Sequence, residues 1–154
     1  MPTHAEQRLL PYTPEQMYAL IADIERYPEF LPWCTAARIR ERRADFICAD
    51  LVIGFKMFRE RFTSNVKLSP PGRIDVTYAE GPFRYLNNYW IFEHVPGGCR
   101  VDFFVDFEFK SRVLQKVIEM LFGEAVKRMV AAFEGRARQL YGKPAPDGGV
   151  GAPA

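Results

Sequence analysis

Apolar and polar side chains alternate along the stretch that runs from Cys99 to Phe109. Every odd position is apolar, whereas four of the five even positions between them carry a charge. Because successive side chains of a strand point to opposite faces, the pattern predicts one long strand with an apolar and a charged face. The apolar face covers either a packed core or a cavity for an apolar ligand, and the function depends on which of the two is present.

Shorter segments with similar alternation precede this strand and are separated by proline and glycine. Strands are predicted at residues 3–11, 38–43, 46–53, 58–68, 74–78 and 86–92. Strong turn signals stand at Pro70-Pro71-Gly72, Gly81-Pro82 and Pro96-Gly97-Gly98. Turns at such short spacing are typical of an antiparallel meander.

Helical spacing follows the first strand and returns after the last. Thr13, Pro14 and Gln16 have the pattern of an N-cap, a first helical residue and a capping box. Ser111 is predicted to cap a helix that runs to about Tyr141, and about thirty residues of helix span roughly 45 Å. Its predicted apolar stripe is Leu114, Ile118, Leu121, Phe122, Ala125, Met129, Phe133 and Leu140.

An antiparallel sheet with one apolar face needs a cover, and one long helix laid across it supplies that cover. We therefore predict an α+β fold in which a curved antiparallel sheet wraps around a long C-terminal helix. Residues 1–142 form one domain in this prediction. The tail of residues 143–154, KPAPDGGVGAPA, has little to bury and is predicted to be disordered.

Composition excludes several classes of protein. The chain has 154 residues, of which 48% are hydrophobic, and a net charge of +2, too small by itself to indicate binding to DNA or RNA. Its three cysteines form no C-x-x-C pair and have no histidine nearby, so neither a zinc site nor a disulfide framework is expected. No hydrolase or metalloprotease motif is present, and no cofactor is predicted. Because no run approaches roughly 20 apolar residues, any membrane contact would be peripheral.

Four motifs together resemble one known family. They are YPEFLPWC at 27–34, GPF with Leu86, Trp90 and Phe92 after it, FEF at 107–109, and RARQLYG at 136–142. Over about residues 3–142 the chain resembles the helix-grip fold of START and birch-pollen-allergen-like domains. It is more closely similar to the polyketide cyclase/dehydrase-like START proteins that bind coenzyme Q.

The resemblance implies a lipid-binding protein that carries or chaperones ubiquinone for respiratory electron transport, without catalytic chemistry. The family also has a bacterial branch of toxins that bind the large ribosomal subunit and block subunit association. The same motifs mark both branches, so both functions stay open, and a cyclase or dehydrase activity is a third alternative. No transit-like segment is seen, which favours a bacterial, cytoplasmic protein with peripheral contact to the inner membrane.

The candidate cavity residues share the predicted inner face of the sheet and helix. They are Phe58, Glu60, Phe62, Ser64, Leu86, Asn88, Trp90, Val101, Phe103, Val105, Phe107, Leu121 and Met129. Strand parity brings three polar side chains inward, namely Glu60, Ser64 and Asn88. They either meet the polar head of a ligand or ordered water, or form an internal hydrogen-bond network.

Two further groups of residues have a functional and a structural interpretation. Phe30, Leu31 and Trp33 lie beside prolines, and Phe83 lies next to a turn. These four form either the mouth of the cavity or a plug packed beneath the long helix. The basic run RIRERR, residues 38–43, meets anionic lipid or ribosomal RNA phosphates, or is a solvated, salt-bridged strand.

Overall fold

A computed structural model describes residues 3–31, 33–55 and 58–142. Two helices, one 3₁₀ helix and seven strands follow one another along these residues. They are β1 (Thr3–Leu10), α1 (Pro14–Ala22), a 3₁₀ helix (Ile24–Glu29), β2 (Cys34–Arg43), β3 (Phe46–Phe55), β4 (Phe58–Ser69), β5 (Arg73–Glu80), β6 (Phe83–Val95), β7 (Gly98–Phe109) and α2 (Arg112–Tyr141). The predicted disordered tail, residues 143–154, lies outside the described residues.

The seven strands form one antiparallel sheet in the order β1-β7-β6-β5-β4-β3-β2. The predicted meander is confirmed. The first strand, β1, pairs with β7 and forms one edge of the sheet. Along β7 the odd residues point inward as predicted, and all of them except the half-buried Val105 are buried. The alternation of the sequence is therefore the alternation of the sheet's two faces.

Both predicted helix starts are present. The Thr13 hydroxyl accepts a hydrogen bond of 3.0 Å from the backbone N–H of Gln16, and the Gln16 side chain accepts one of 3.0 Å from the Thr13 N–H. Ser111 caps α2 by accepting a bond of 3.1 Å from the Leu114 N–H. These caps satisfy N–H groups that a helix start leaves without intrahelical partners.

The C-terminal end of α2 differs from the predicted stripe. Leu140 is 49% exposed, whereas Ala137 is fully buried, and the Tyr141 hydroxyl donates a hydrogen bond of 2.8 Å to the Gln16 carbonyl. Phe133, Ala137 and Tyr141 are four residues apart and share one face, and Leu140 lies about 100° around the helix from Tyr141. The last two residues of the buried stripe are therefore the small Ala137 and the polar aromatic Tyr141.

The core consists of two clusters. The larger joins α1, the centre of the sheet and the C-terminal half of α2 through side chains such as Met17, Ile74 and Phe133. The smaller lies at the N-terminal half of α2 and contains Phe62, Phe83, Phe107, Phe109 and Leu114. No helix among the described residues is both long and apolar enough to span a membrane.

Candidate functional site

The sheet and α2 enclose a cavity of about 310 Å³ whose wall is formed by members of both core clusters. Ten of the thirteen predicted cavity residues lie on this wall. They are Glu60, Phe62, Ser64, Leu86, Asn88, Trp90, Phe103, Val105, Phe107 and Met129. The inward face of the sheet is therefore partly core and partly cavity lining.

Three predicted cavity residues are not placed on the wall. Val101 is buried beside a separate, smaller space next to α1, together with Met17 and Ile21. Leu121 is half-buried and lies about 100° around α2 from the wall residue Phe122. The side chain of Phe58 lies outside the described part of the chain.

Other wall residues were absent from the predicted set. The long helix adds Leu114, Val117, Ile118, Phe122, Ala125, Val126 and Phe133. Most of these belong to the predicted apolar stripe of α2, so the helical spacing of apolar residues in the sequence identifies them. From the N-terminal side, α1 and the 3₁₀ helix contribute Ile21, Ile24 and Tyr27, whose position against the sheet has no local sequence signal.

Asn88 belongs to an internal hydrogen-bond network. Its amide nitrogen donates a bond of 2.7 Å to the Phe104 carbonyl, and its amide oxygen accepts a bond of 3.2 Å from the Trp90 indole N–H. Of the two alternatives, the internal hydrogen-bond network is therefore the one that applies to Asn88. This network fixes the indole of Trp90 against the cavity.

Glu60 and Ser64 have no such partners among the described residues. Ser64 is 2% exposed, and its hydroxyl makes no hydrogen bond within the described residues. Glu60 is half-buried on the wall, and its carboxylate has neither a hydrogen bond nor an ion pair with any described residue. A buried polar group is normally paired, so the Ser64 hydroxyl, which has no partner among the described residues, is a position at which a ligand or water can bond, and Glu60 lies on the same wall.

The predicted mouth residues Phe30, Leu31 and Trp33, here called the mouth segment, divide into two groups. Leu31 and the half-buried Trp33 lie on the cavity wall, and the Trp33 carbonyl accepts a bond of 2.8 Å from the Gly54 N–H. Phe30 is not on the wall, and its ring packs 5.4 Å from that of Phe133 on α2. The segment thus joins the end of β3 to the long helix.

Phe83, predicted as either a mouth residue or a packed plug, lies on the cavity wall. This side chain is 3% exposed, and its ring stacks 4.6 Å from that of Phe109. Its backbone N–H donates a bond of 3.1 Å to the Tyr78 hydroxyl. The turn ends at Pro82 and β6 begins at Phe83, so strand geometry directs this ring inward.

Two ionisable groups on the wall are held in their neutral forms. Burial raises the pKa of the Tyr27 hydroxyl, which donates a hydrogen bond to the Ile21 carbonyl. Burial also raises the pKa of the Cys34 thiol to about 11, so that it is a thiol rather than a nucleophilic thiolate at neutral pH. Within residues 3–31, 33–55 and 58–142, no three His, Cys, Asp or Glu side chains gather as a metal site.

The outward face of β2–β5 carries a polar cleft of about 360 Å³, here called the outer cleft. Arg38, Arg40 and Arg61 line it around Asp50. The Arg40 guanidinium lies 3.7 Å from the Asp50 carboxylate, which also accepts a bond from the Thr63 hydroxyl. Arg38 and Arg61 have no ion pair with the described residues.

The rest of the basic run is partly salt-bridged. The Arg42 guanidinium lies 3.1 Å from the Glu25 carboxylate, and Arg43 pairs with Glu41 at 2.5 Å. The run on β2 is therefore neither wholly neutralised nor wholly free.

Comparison with known proteins gives a family and two kinds of relative. Residues 10–134 match the family described as "Polyketide cyclase / dehydrase and lipid transport". The chain is 37% identical over 137 residues to "Ribosome association toxin RatA" of Rickettsia prowazekii, covering 86% of this chain and 94% of the relative. It is 33% identical over 145 residues to "Coenzyme Q-binding protein COQ10 homolog B, mitochondrial" of Xenopus laevis, covering 91% of this chain and 59% of the relative.

The fold is shared with solved structures. A START superfamily protein from Mycobacterium smegmatis superimposes with a TM-score of 0.76 at 19% identity, covering 90% of this chain and 98% of that chain. The START-like, helix-grip fold predicted from the sequence is confirmed. The predicted resemblance to a family with both coenzyme Q-binding and ribosome-association members is confirmed as well.

Proposed function

The chain belongs to the polyketide cyclase/dehydrase and lipid transport family, and we propose that it binds ubiquinone or a related isoprenoid lipid and carries it for respiratory electron transport. The observation that supports this most is the cavity of about 310 Å³, whose wall is apolar apart from a few polar side chains. We place the protein in the bacterial cytoplasm, with peripheral contact to the inner membrane.

Burial of the isoprenoid tail supplies the affinity in this proposal. Each buried CH₂ group contributes about 0.8 kcal/mol, so a five-carbon isoprene unit contributes on the order of 3 kcal/mol. Micromolar binding requires about 8 kcal/mol, and three or four enclosed units exceed that before the cost of ordering the tail. At about 310 Å³ this cavity lies at the small end of the range of about 300–1,000 Å³ for ligand cavities, so in this proposal it holds the head group and the first part of the tail, and the remaining units are buried along the mouth or in a membrane.

The mechanism is enclosure without bond making. A cyclase needs groups that donate and accept protons at the substrate. The titratable side chains on the described wall are Tyr27, Cys34 and Glu60, and burial raises the pKa values of Tyr27 and Cys34 so that neither acts as a base at neutral pH. Binding and transfer are therefore better supported than a cyclase or dehydrase activity.

Ribosome association is the second candidate function. The outer cleft supports it, because Arg38 and Arg61 are exposed and have no ion pair with the described residues. Contacts of arginine with RNA phosphates weaken steeply as salt increases. Co-sedimentation with 50S particles that persists at moderate salt and is lost in the double variant Arg38→Ser, Arg61→Ser would favour this candidate.

The lipid proposal is tested by extracting purified protein with organic solvent and identifying bound lipid by mass spectrometry. A titration with decylubiquinone provides a second readout, because both tryptophans of the chain, Trp33 and Trp90, lie on the cavity wall. We expect an isoprenoid quinone in the extract and a saturable change in tryptophan fluorescence. An extract without isoprenoid lipid, together with no saturable signal, would contradict the proposal.

A further inference from the structure

Two polar side chains that have no partner among the described residues face the cavity from one strand. Glu60 and Ser64 both lie on the inward face of β4, on either side of Phe62. Four residues of strand separate their Cα atoms by roughly 13 Å. The ring of Phe62 packs 5.3 Å from that of Phe83, so the strand between the two polar groups is held by the core.

The hydrogen-bonding capacities of the two groups differ. The Ser64 hydroxyl donates one bond and accepts others, whereas the Glu60 carboxylate only accepts. Ser64 is 2% exposed and its oxygen makes no bond with a described residue. A ligand that satisfies both groups must therefore present at least one donor to Glu60.

Most other donors on the wall are already engaged by the protein. The Asn88 amide N–H bonds to a backbone carbonyl, and the Trp90 indole N–H bonds to Asn88. The Tyr27 hydroxyl donates to the Ile21 carbonyl. For a ligand whose oxygens only accept hydrogen bonds, the donors without a partner among the described wall residues include the Ser64 hydroxyl and the Trp33 indole N–H, and such a ligand also meets a carboxylate.

We propose that the cavity selects a hydroxyl-bearing aromatic head group, the quinol or a phenol, over the oxidised quinone, and that Glu60 determines this preference. This inference rests on the proposed function and adds that the same cavity binds the reduced form of the ligand in preference to the oxidised form. The oxygens of a quinone are all acceptors, and next to a carboxylate they are repelled. The hydroxyls of a quinol donate to Glu60 and also bond with Ser64, and hydrogen bonds to a charged acceptor are the stronger ones.

The test is isothermal titration calorimetry with two probes, decylubiquinol under anaerobic reducing conditions and decylubiquinone in degassed buffer. We expect the quinol to bind about tenfold more tightly, the difference that one hydrogen bond to a charged group provides. Glu60→Gln replaces the carboxylate with an amide that can donate, so the preference should disappear or reverse. Glu41→Gln, on the half-exposed Glu41 of β2, makes the same change of charge away from the cavity and should keep the preference.

A third probe keeps the test independent of any variant. The dimethyl ether of decylubiquinol has the quinol's ring and tail but no donor, and we expect it to bind as weakly as the quinone. Equal or tighter binding of the quinone or of the ether to the wild-type protein would overturn the inference while leaving lipid binding intact. Failure of all three probes to bind would instead overturn the proposed function.

Discussion

Arg136 on α2 lies 2.8 Å from the carboxylate of Glu29, the last residue of the 3₁₀ helix. The Arg136 side chain is 12% exposed, and its guanidinium lies 5.1 Å from the centre of the Phe30 ring. This one arginine therefore attaches the beginning of the mouth segment to the long helix through a charge pair and an aromatic contact.

The first prediction is a pH dependence of that attachment. Hydrogen bonds from Arg26 and then Arg136 lower the pKa of Glu29 below its ordinary value of 4.5. Because the folded pKa is lowered, the contribution to stability is complete above about pH 4.5 and is lost as the pH falls through the folded pKa. We expect Arg136→Met to melt a few degrees below wild type at pH 7, and the charge-dependent part of this difference to vanish at acidic pH.

Thermal melts at a series of pH values measure this effect. Arg128→Met is the matched control, because Arg128 pairs with Glu124 on the solvent-exposed face of α2 at 3.4 Å, and exposed pairs contribute little. A difference between Arg136→Met and wild type that stays the same from pH 7 down to the acid range would show that only the packing over Phe30 matters.

The second prediction concerns the unpartnered hydroxyl of Ser64. Ser64→Ala removes a buried polar atom that has no partner among the described residues, so the stability of the free protein should be unchanged or slightly higher. Affinity for a quinone or quinol should fall, because the ligand loses a hydrogen bond. Denaturant unfolding and calorimetric titration of the same variant measure the two effects.

Its neighbour provides the matched control. The Thr63 hydroxyl is bonded to Asp50 on the outer face, so Thr63→Val should lower stability by about 1 kcal/mol without changing ligand affinity. Loss of stability in Ser64→Ala that equals the loss in Thr63→Val would show that Ser64 has a structural partner after all.

The third prediction follows from the buried position of Phe83. Its ring is surrounded by Phe62, Tyr78, Phe107 and Phe109. Truncation of a fully buried aromatic costs about 3–5 kcal/mol, and we expect Phe83→Ala to fall in this range by denaturant unfolding. A loss below about 1 kcal/mol, as for an exposed residue, would restore Phe83 to the mouth.

Local pattern was sufficient to predict the fold and most of the wall. The alternation along β4, β6 and β7 identifies which side chains point inward, because a strand has a fixed period of two. The cap residues Thr13 and Ser111 identify both helix starts, because their hydrogen bonds are local. These features need no knowledge of how the elements pack.

The pattern does not show which part of the sheet's inward face is packed beneath a helix and which part lines the cavity. Val101 and Phe103 have the same parity and both border the small space next to α1, yet only Phe103 also lies on the cavity wall. Leu140 is as apolar as the buried residues of α2, but Ala137 takes the place against the core. Such outcomes depend on the tertiary packing of elements that are far apart along the chain.

The last prediction compares Trp33 with Phe103, two aromatic residues on the same wall. Phe103 is 7% exposed, and its ring lies 4.5 Å from that of Trp90, so Phe103→Ala should cost about 3–5 kcal/mol of stability. Trp33 is half-buried, and the bond that ties it to Gly54 uses its backbone carbonyl, which an alanine keeps. Trp33→Ala should therefore lose only about 1 kcal/mol and melt cooperatively within a few degrees of wild type, while the rate of quinone transfer between liposomes changes. If Trp33→Ala lowers the melting temperature as much as Phe103→Ala does, the mouth segment is a core plug and does not control ligand exchange.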